Sequence, residues 1–390
     1  MKILFYRYGS ICEPDLISTF QQAGIEVIEE TSEMHRKSIS PEESVDIIVK
    51  RITECRPLFL FSINFFPVVA EVCHTLCTTY VCWTVDCPIT ELFSTALLHN
   101  TNRIFMFDHT QYTYYHPYNP NCIYYLPLAA NTQRFDNVIS SITPKDCMLY
   151  SSDISFVGSL YTEKNPMRKV TLSPYCSGYV SGIIDASLKV YGYNFIEEMI
   201  TQPLIQELSS NLPNFVPSYD TITDPTRFLA AHCYIGMQAA ETERIRTLNR
   251  LAEHFSVDLF TRSESDLLRN VCVHGGVKTL TEMPKIFHLS KINLNITIKP
   301  IQTGLPLRIF DIMGCGGFLM TNYQSELTDF FEIGTDLEAY SSLDELCDKC
   351  SYYLKHSDTR EKIALNGYEK VQKYHSYHNR ILLMLKTITE

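Results

Sequence analysis

Residues 299–321, KPIQTGLPLRIFDIMGCGGFLMT, govern how the rest of the chain is read. The stretch predicts a loop, a helix, a glycine turn and a strand. Gly304 allows a ligand close to the backbone, and Pro306 suits a first helical position, where its missing N–H would be unpaired anyway. The free N–H groups of that first turn form an anion site. Arg308 sits in the same turn, where a cation opposes the helix dipole by about 0.3–1 kcal/mol. An anion nearby explains that placement, and a diphosphate is the natural candidate. Otherwise Arg308 points to solvent or pairs with a local carboxylate. Asp311 follows one turn later, so both side chains can meet the same ligand, and its carboxylate can accept hydrogen bonds from two ribose hydroxyls. Gly314, Gly316 and Gly317 end the helix and let it pack tightly before the next strand.

Outward from this stretch, strands and helices alternate. Strands are expected at 154–157, 233–236, 257–260, 271–273, 292–296 and 318–321. A helix from Glu241 gathers Ile245, Leu248, Leu251, Ala252 and Phe255 on one face. Residues 166–225 interrupt the alternation with a helical stretch around 182–200 and several prolines, and read as an insertion. The polar stretch at 151–153 marks a domain boundary near residue 150. The last residues, about 372–390, form an amphipathic helix that can pack back on the first domain.

The first half repeats the pattern, with strands at 3–8, 27–29, 58–63, 80–85, 104–107 and 123–126, which predicts parallel strands joined by crossover helices. Ser40, Pro41 and Glu43 read as a capping box. In an open parallel sheet the ligand side lies at the carboxyl ends of the strands, where Gly9, Asn64, Asp86 and Asp108 fall. Asn64 and Asp86 either line that crevice or cap the helices that follow.

The 390 residues suit two domains, 1–150 and 151–371, with the terminal helix added. A formal charge of -11 argues against nucleic acid, although a small diphosphate needs only a local positive pocket. No apolar run is long enough to cross a bilayer and no export signal is evident, so fourteen cysteines read as reduced thiols in a cytoplasmic protein. Cys73/Cys77, Cys82/Cys87 and Cys347/Cys350 do not combine at zinc-ribbon or finger spacing, so no metal is expected.

The run from Thr303 to Gly317 resembles the donor helix of family-four-type GT-B glycosyltransferases, whose signature is an acid, seven residues, a second acid and a small-residue turn. Asp311 matches the second acid, and Thr303 stands where the first would be. FVGSLYTEKNPMR, HGGVKT, LSKINLNIT and GLPLRIFDIMGCGGF resemble the CgeB-like branch, associated with spore-surface and other bacterial glycosylation. The resemblance implies an α/β GT-B architecture, with two Rossmann-like domains facing a cleft and a helical insertion in the second.

It further implies transfer of a sugar from a nucleotide-diphosphate-sugar to a protein or glycan acceptor, with retention and with neither metal nor cofactor. Gly158, Ser159 and Lys164 would face the diphosphate, where the family usually has an Arg at the position of Ser159. Arg308 or Lys299 would replace that charge, with Thr303, Gly304 and Leu305 in the donor loop and Arg262 a further phosphate ligand. Residues 273–277, around His274, would meet the nucleobase largely through backbone groups. If the enzyme inverts instead, Asp86, Asp108 or His109 would act as base.

Two rivals remain at this level. A degenerate donor site, suggested by Ser159 and Thr303, would leave a sugar-nucleotide-binding partner or scaffold. A nicotinamide-dependent oxidoreductase lacks its fingerprint, because YRYGSICEP offers one glycine where three are needed.

Overall fold

The computed structural model describes residues 1–36, 39–212 and 214–389. Pro213, within the expected insertion, and Glu390, at the end of the expected terminal helix, lie outside them. Two compact units emerge. The first comprises Met1–Leu128, Pro217–Pro225 and the chain from Tyr377, and the second Ala129–Val216 and Thr226–Ser376.

The first unit is built on six parallel strands, β1 (Lys2–Tyr6), β2 (Glu26–Glu30), β3 (Phe59–Ile63), β4 (Thr79–Trp83), β5 (Asn102–Met106) and β6 (Ile123–Tyr125), ordered β2-β1-β3-β4-β5-β6. Helices cover both faces, so the apolar runs are continuous instead of alternating, and all five residues of β3 are buried. The Ser40 hydroxyl accepts from Glu43 N at 3.2 Å, but the Glu43 carboxylate turns to Arg36 at 2.6 Å, so only half of the expected box forms. The terminal helix Tyr377–Thr389 belongs to this unit. Buried Arg380 donates to Pro127 O at 2.7 Å and Leu128 O at 3.2 Å, and Trp83 packs edge-on against Tyr377.

The second unit holds β7 (Ile154–Val157), β8 (Val257–Phe260), β9 (Cys272–His274), β10 (Ile292–Asn295), β11 (Leu319–Asn322) and β12 (Glu338–Tyr340), parallel and ordered β12-β11-β10-β7-β8-β9. Helices Thr132–Ile139 and Pro144–Tyr150, read from sequence as part of the first domain, fall here. Arg134 donates to Leu280 O at 2.8 Å, Tyr368 to Asp136 at 2.9 Å, and Lys285 pairs with Asp146 at 3.0 Å. Thr143 and Asp146 form a reciprocal capping box at the start of the second of these helices.

The insertion is a helical lobe with its own apolar core, including Val180, Ile184, Leu204 and Leu208. Its main helix is Pro174–Ser187, and a turn at Gly192 (φ 74) follows, so the expected 182–200 helix is broken. The strand expected at 233–236 is not one. Leu229–Ile235 is a π-helical turn running directly into the helix Gly236–Ala252. A short apolar run of this length has no periodicity that separates strand from buried helix. The six parallel strands of each unit, with helices on both faces, make a GT-B-like α/β fold.

Two outcomes test this packing. A Cβ on Gly317 would lie 2.5 Å from Phe287 O and 2.7 Å from the Asn293 amide nitrogen, so Gly317→Ala is expected to lower unfolding stability by about 1–3 kcal/mol in denaturant titrations. The Thr143 hydroxyl and amide, and then Lys285, hold the Asp146 pKa down to about 2 from 3.8. A depressed folded pKa gives stability that is present above the unfolded value and lost as pH falls through the folded one. Asp146→Asn should therefore flatten the fall in melting temperature between about pH 4 and pH 2, while lowering it at neutral pH.

Candidate functional site

Counted along the second unit, its strand order is the doubly wound one that reverses between β7 and β10, and a crevice is expected outside the strand ends at that reversal. The chain leaves β7 through Gly158, whose N–H donates to Phe260 O at 3.1 Å. Tyr161 takes a positive φ of 68°. The Ser159 hydroxyl accepts from Tyr161 N at 2.7 Å and donates to Glu163 at 2.7 Å, and Leu160 N donates to the Ser263 hydroxyl at 2.8 Å. Burial works against ionisation of Glu163, but the bonds from Ser159, its own backbone, Ser263 and Thr162 outweigh it and lower the pKa. Lys164 Nζ lies 5.2 Å from the centroid of the Tyr161 ring.

Between the two strand ends sits a residue that the sequence reading did not single out. Arg244, from the helix Gly236–Ala252, donates to Ser159 O at 2.5 Å beyond β7 and to Ile296 O at 2.9 Å beyond β10. Its guanidinium lies 5.3 Å from the Phe156 ring centroid and 4.6 Å from that of Tyr161. Burial lowers its proton affinity most. Tyr161 and Glu243 raise it, the like charge of Arg308 lowers it, and Glu163 raises it again. A usable signal was its spacing. Arg244 stands four residues after Ala240 and four before Leu248, both buried, and so lies on the apolar stripe instead of a solvated face.

Beyond β10, Asn322 clamps Thr297 at both backbone groups. Its amide oxygen accepts from Thr297 N at 2.8 Å and its nitrogen donates to Thr297 O at 2.9 Å. This fixes the start of the loop that carries Thr303, partly exposed, and Gly304 and Leu305, both buried. Pro306 is the extended residue before the helix Leu307–Gly314, one position earlier than expected. Arg308 pairs with Asp311 at 3.6 Å, touches Met283 and lies 5.1 Å from the Phe287 ring centroid. Gly314 packs at the level of Ala130 and Phe135, and Gly316 takes the left-handed turn (φ 68). Lys299 is directed elsewhere. Its Nζ donates to Val190 O at 2.8 Å beside the Tyr191 ring, and burial lowers its pKa while Glu243 raises it.

Two remaining candidates of this unit lie around the edge strand. His274 Nε2 is 2.7 Å from Asp258 Oδ1, and its ring stacks on Phe260 at 4.5 Å. The Arg262 side chain crosses Gly276 so closely that a Cβ there would meet it at 2.3 Å. In the first unit the strand order reverses between β1 and β3, and Asn64 occupies that point with a φ of 59°. Its oxygen accepts from Val85 N at 2.9 Å and Asp86 N at 3.3 Å, and its nitrogen donates to Asp86 at 2.7 Å and to the Tyr8 hydroxyl at 2.9 Å. Asp108 is fully buried and accepts from Gln111 N at 3.1 Å, capping the helix His109–Tyr115.

Residues 243–386 match a glycosyl transferase-like family model. No curated protein matches the sequence. Among solved structures, the chain is similar to Anabaena Alr3699/HepE in complex with UDP and glucose, at 11% identity and a TM-score of 0.54, covering 100% of this chain and 99% of that one. It is also similar to the sucrose-phosphate synthase of Thermosynechococcus elongatus, at 11% identity and a TM-score of 0.56, covering 99% and 98%. An alpha-glucosyltransferase in complex with UDP-glucose and DNA containing an abasic site gives 12% identity and a TM-score of 0.54, covering 100% and 99%. At these identities the likeness is one of fold.

Arg244→Met keeps the apolar stem and removes the charged donors from two partly enclosed carbonyls. It is expected to cost about 2–4 kcal/mol in denaturant unfolding, with Arg244→Lys intermediate.

Proposed function

We propose that the protein is a glycosyltransferase that moves a sugar from a nucleotide-diphosphate-sugar to a protein or glycan acceptor, in the manner of the CgeB-like branch. The observation that carries this reading is that Arg244, bonded to the backbone just beyond β7 and β10, and Arg308, in the first turn of the helix Leu307–Gly314, put two cations on the ligand side of this sheet. Two guanidiniums within electrostatic reach repel each other, and a diphosphate between helix N–H groups and these cations relieves that repulsion. The family-model match over residues 243–386 includes both arginines.

In this reading charge that develops on the leaving diphosphate is stabilised by the cations and the helix N–H groups, without a metal. Asp311 accepts hydrogen bonds from the ribose, and residues 273–277 meet the base. Configuration is retained, so no strong protein base is needed. The first unit takes the acceptor, and Asp86, held by Asn64, is an exposed carboxylate there. Fourteen cysteines outside any disulfide suit a reducing cytoplasm, and none of the described helices is long and apolar enough to cross a membrane.

One observation favours a second reading, in which the protein binds a sugar nucleotide without turning it over. The Glu163 carboxylate bonds to Ser159 inside the loop that would face the diphosphate, and an anion there opposes phosphate.

The test is a thermal-shift screen against UDP, GDP, TDP and CMP, their sugar conjugates, and NAD(H), followed by donor hydrolysis without acceptor. A selective rise with one diphosphate, of about 2.7 kcal/mol at a hundredfold excess over Kd, together with hydrolysis, supports transfer. Binding without hydrolysis favours the second reading, and no nucleotide shift sinks both. Arg308→Ala should weaken donor binding at least about tenfold, equivalent to 1.4 kcal/mol, with the melting temperature of the unliganded protein nearly unchanged.

A further inference from the structure

The edge of the second sheet gathers three ligand side chains that the transfer chemistry does not use, since the segment around His274 is assigned to the base through its backbone groups. Strand β9 pairs in parallel with β8, with Asp258 opposite Cys272 and Phe260 opposite His274. Alternation along a strand puts Cys272 and His274 on one face, and the His274 contacts with Asp258 and Phe260 show that Asp258 shares it. The Cys272 thiol, an imidazole nitrogen and a carboxylate oxygen all lie within 4.8 Å of one another. Among the described residues no other group of three such side chains converges in this way.

We propose that Asp258, Cys272 and His274 form a binding site for one divalent cation of the zinc class. A thiolate, an imidazole and a carboxylate are a donor set suited to this borderline ion, whose bonds of about 2.0–2.3 Å place tetrahedral ligands about 3.2–3.8 Å apart. The ligand atoms already lie within 4.8 Å of one another, and Nε2 and Oδ1, 2.7 Å apart, would open to admit the ion. Stacking on Phe260 already fixes the plane of the imidazole. Cys272 is exposed and His274 partly so, which leaves the fourth position to water.

Binding converts the thiol to a thiolate. The sulfur–hydrogen bond breaks, the sulfur–metal bond forms, and the proton goes to the buffer. In the metal-free chain, partial desolvation and the Asp258 carboxylate hold that proton on the sulfur, and a cation between them reverses the balance. The structural effect is a staple. Strand β9 is three residues long, and Val273 on its other face is 44% exposed, so little burial holds this edge in place. A metal bridging β8 and β9 would fasten the segment that leads into Gly275 and Gly276.

The test titrates the full chain, without nucleotide, with zinc in competition with a chromophoric chelator, and then with cobalt(II) under reducing conditions. The wild type and Cys147→Ser, which removes another exposed thiol of this unit, should each take one ion per chain with equal affinity. Cobalt should give a near-ultraviolet thiolate-to-metal band. Cys272→Ser should abolish that band, and Cys272→Ser, His274→Gln and Asp258→Asn should each weaken zinc at least about tenfold. Unaltered circular dichroism of the Cys272→Ser chain separates lost ligation from lost folding. Equal stoichiometry and affinity in the combined triple variant, or a cobalt spectrum without the thiolate band, would overturn the proposal, whether or not the donor-site reading holds.

Discussion

The second unit depends on one guanidinium that reaches two strand ends at once. Where a parallel sheet reverses its winding, neighbouring strands send their chains away in opposite directions, and the carbonyls at the parting lose their ladder partners. A partly enclosed carbonyl without a donor costs about 1–3 kcal/mol. Arg244 supplies donors to both, at Ser159 O and Ile296 O, from a helix that lies outside either strand. Its planar fork can hold two acceptors in fixed directions, which a lysine ammonium does less well. Asn322 adds a second fastening at Thr297. The loop after β7 and the loop that leads to Arg308 are thereby referred to one rigid group.

The same region concentrates buried charge. Glu243, next in sequence to Arg244, is 4% exposed. Burial raises its pKa, and Lys299, then Arg244, act in the other direction. Burial likewise lowers both cations. Each charge therefore tolerates its low-dielectric setting through the others, and removing one partner leaves the rest uncompensated. Lys299 serves this network through Val190 O and Glu243, while Arg308 stands at the start of its helix, so the two cations of the 299–308 stretch do different work.

Much of this architecture was legible in the sequence because parallel strands buried on both faces leave continuous apolar runs with clear polar stops. Residues 80–83 and, with one serine, Phe59–Ile63 are examples, and the strand-end positions of Asn64 and Asp86 followed from them. What failed had physical causes. The run at 233–236 carries no periodicity, so a buried helical turn reads as a strand. The boundary near 150 rested on local polarity, whereas membership is set by long-range bonds such as Tyr368 to Asp136, invisible along the chain. Arg244 is a cation set on an apolar stripe, and only its spacing from the buried Ala240 and Leu248 points to its enclosure. The triad of Asp258, Cys272 and His274 could not be read from cysteine spacing, since its carboxylate comes from a neighbouring strand.

The two units answer one topological problem with different chemistry. At the reversal in the first sheet, the parting between β1 and β3 is bridged by Asn64, a neutral amide that accepts from Val85 N and Asp86 N and donates to Asp86 and the Tyr8 hydroxyl. That arrangement leaves a carboxylate and a phenol at the crevice, groups that accept from and donate to hydroxyls. At the reversal in the second sheet the bridge is a guanidinium, with another guanidinium in electrostatic reach. A neutral bridge beside an anionic side chain disfavours phosphate, and a cationic bridge favours it. The division of labour proposed here, with a hydroxyl-bearing acceptor on the first unit and a diphosphate donor on the second, follows from which residue each sheet uses to close its parting.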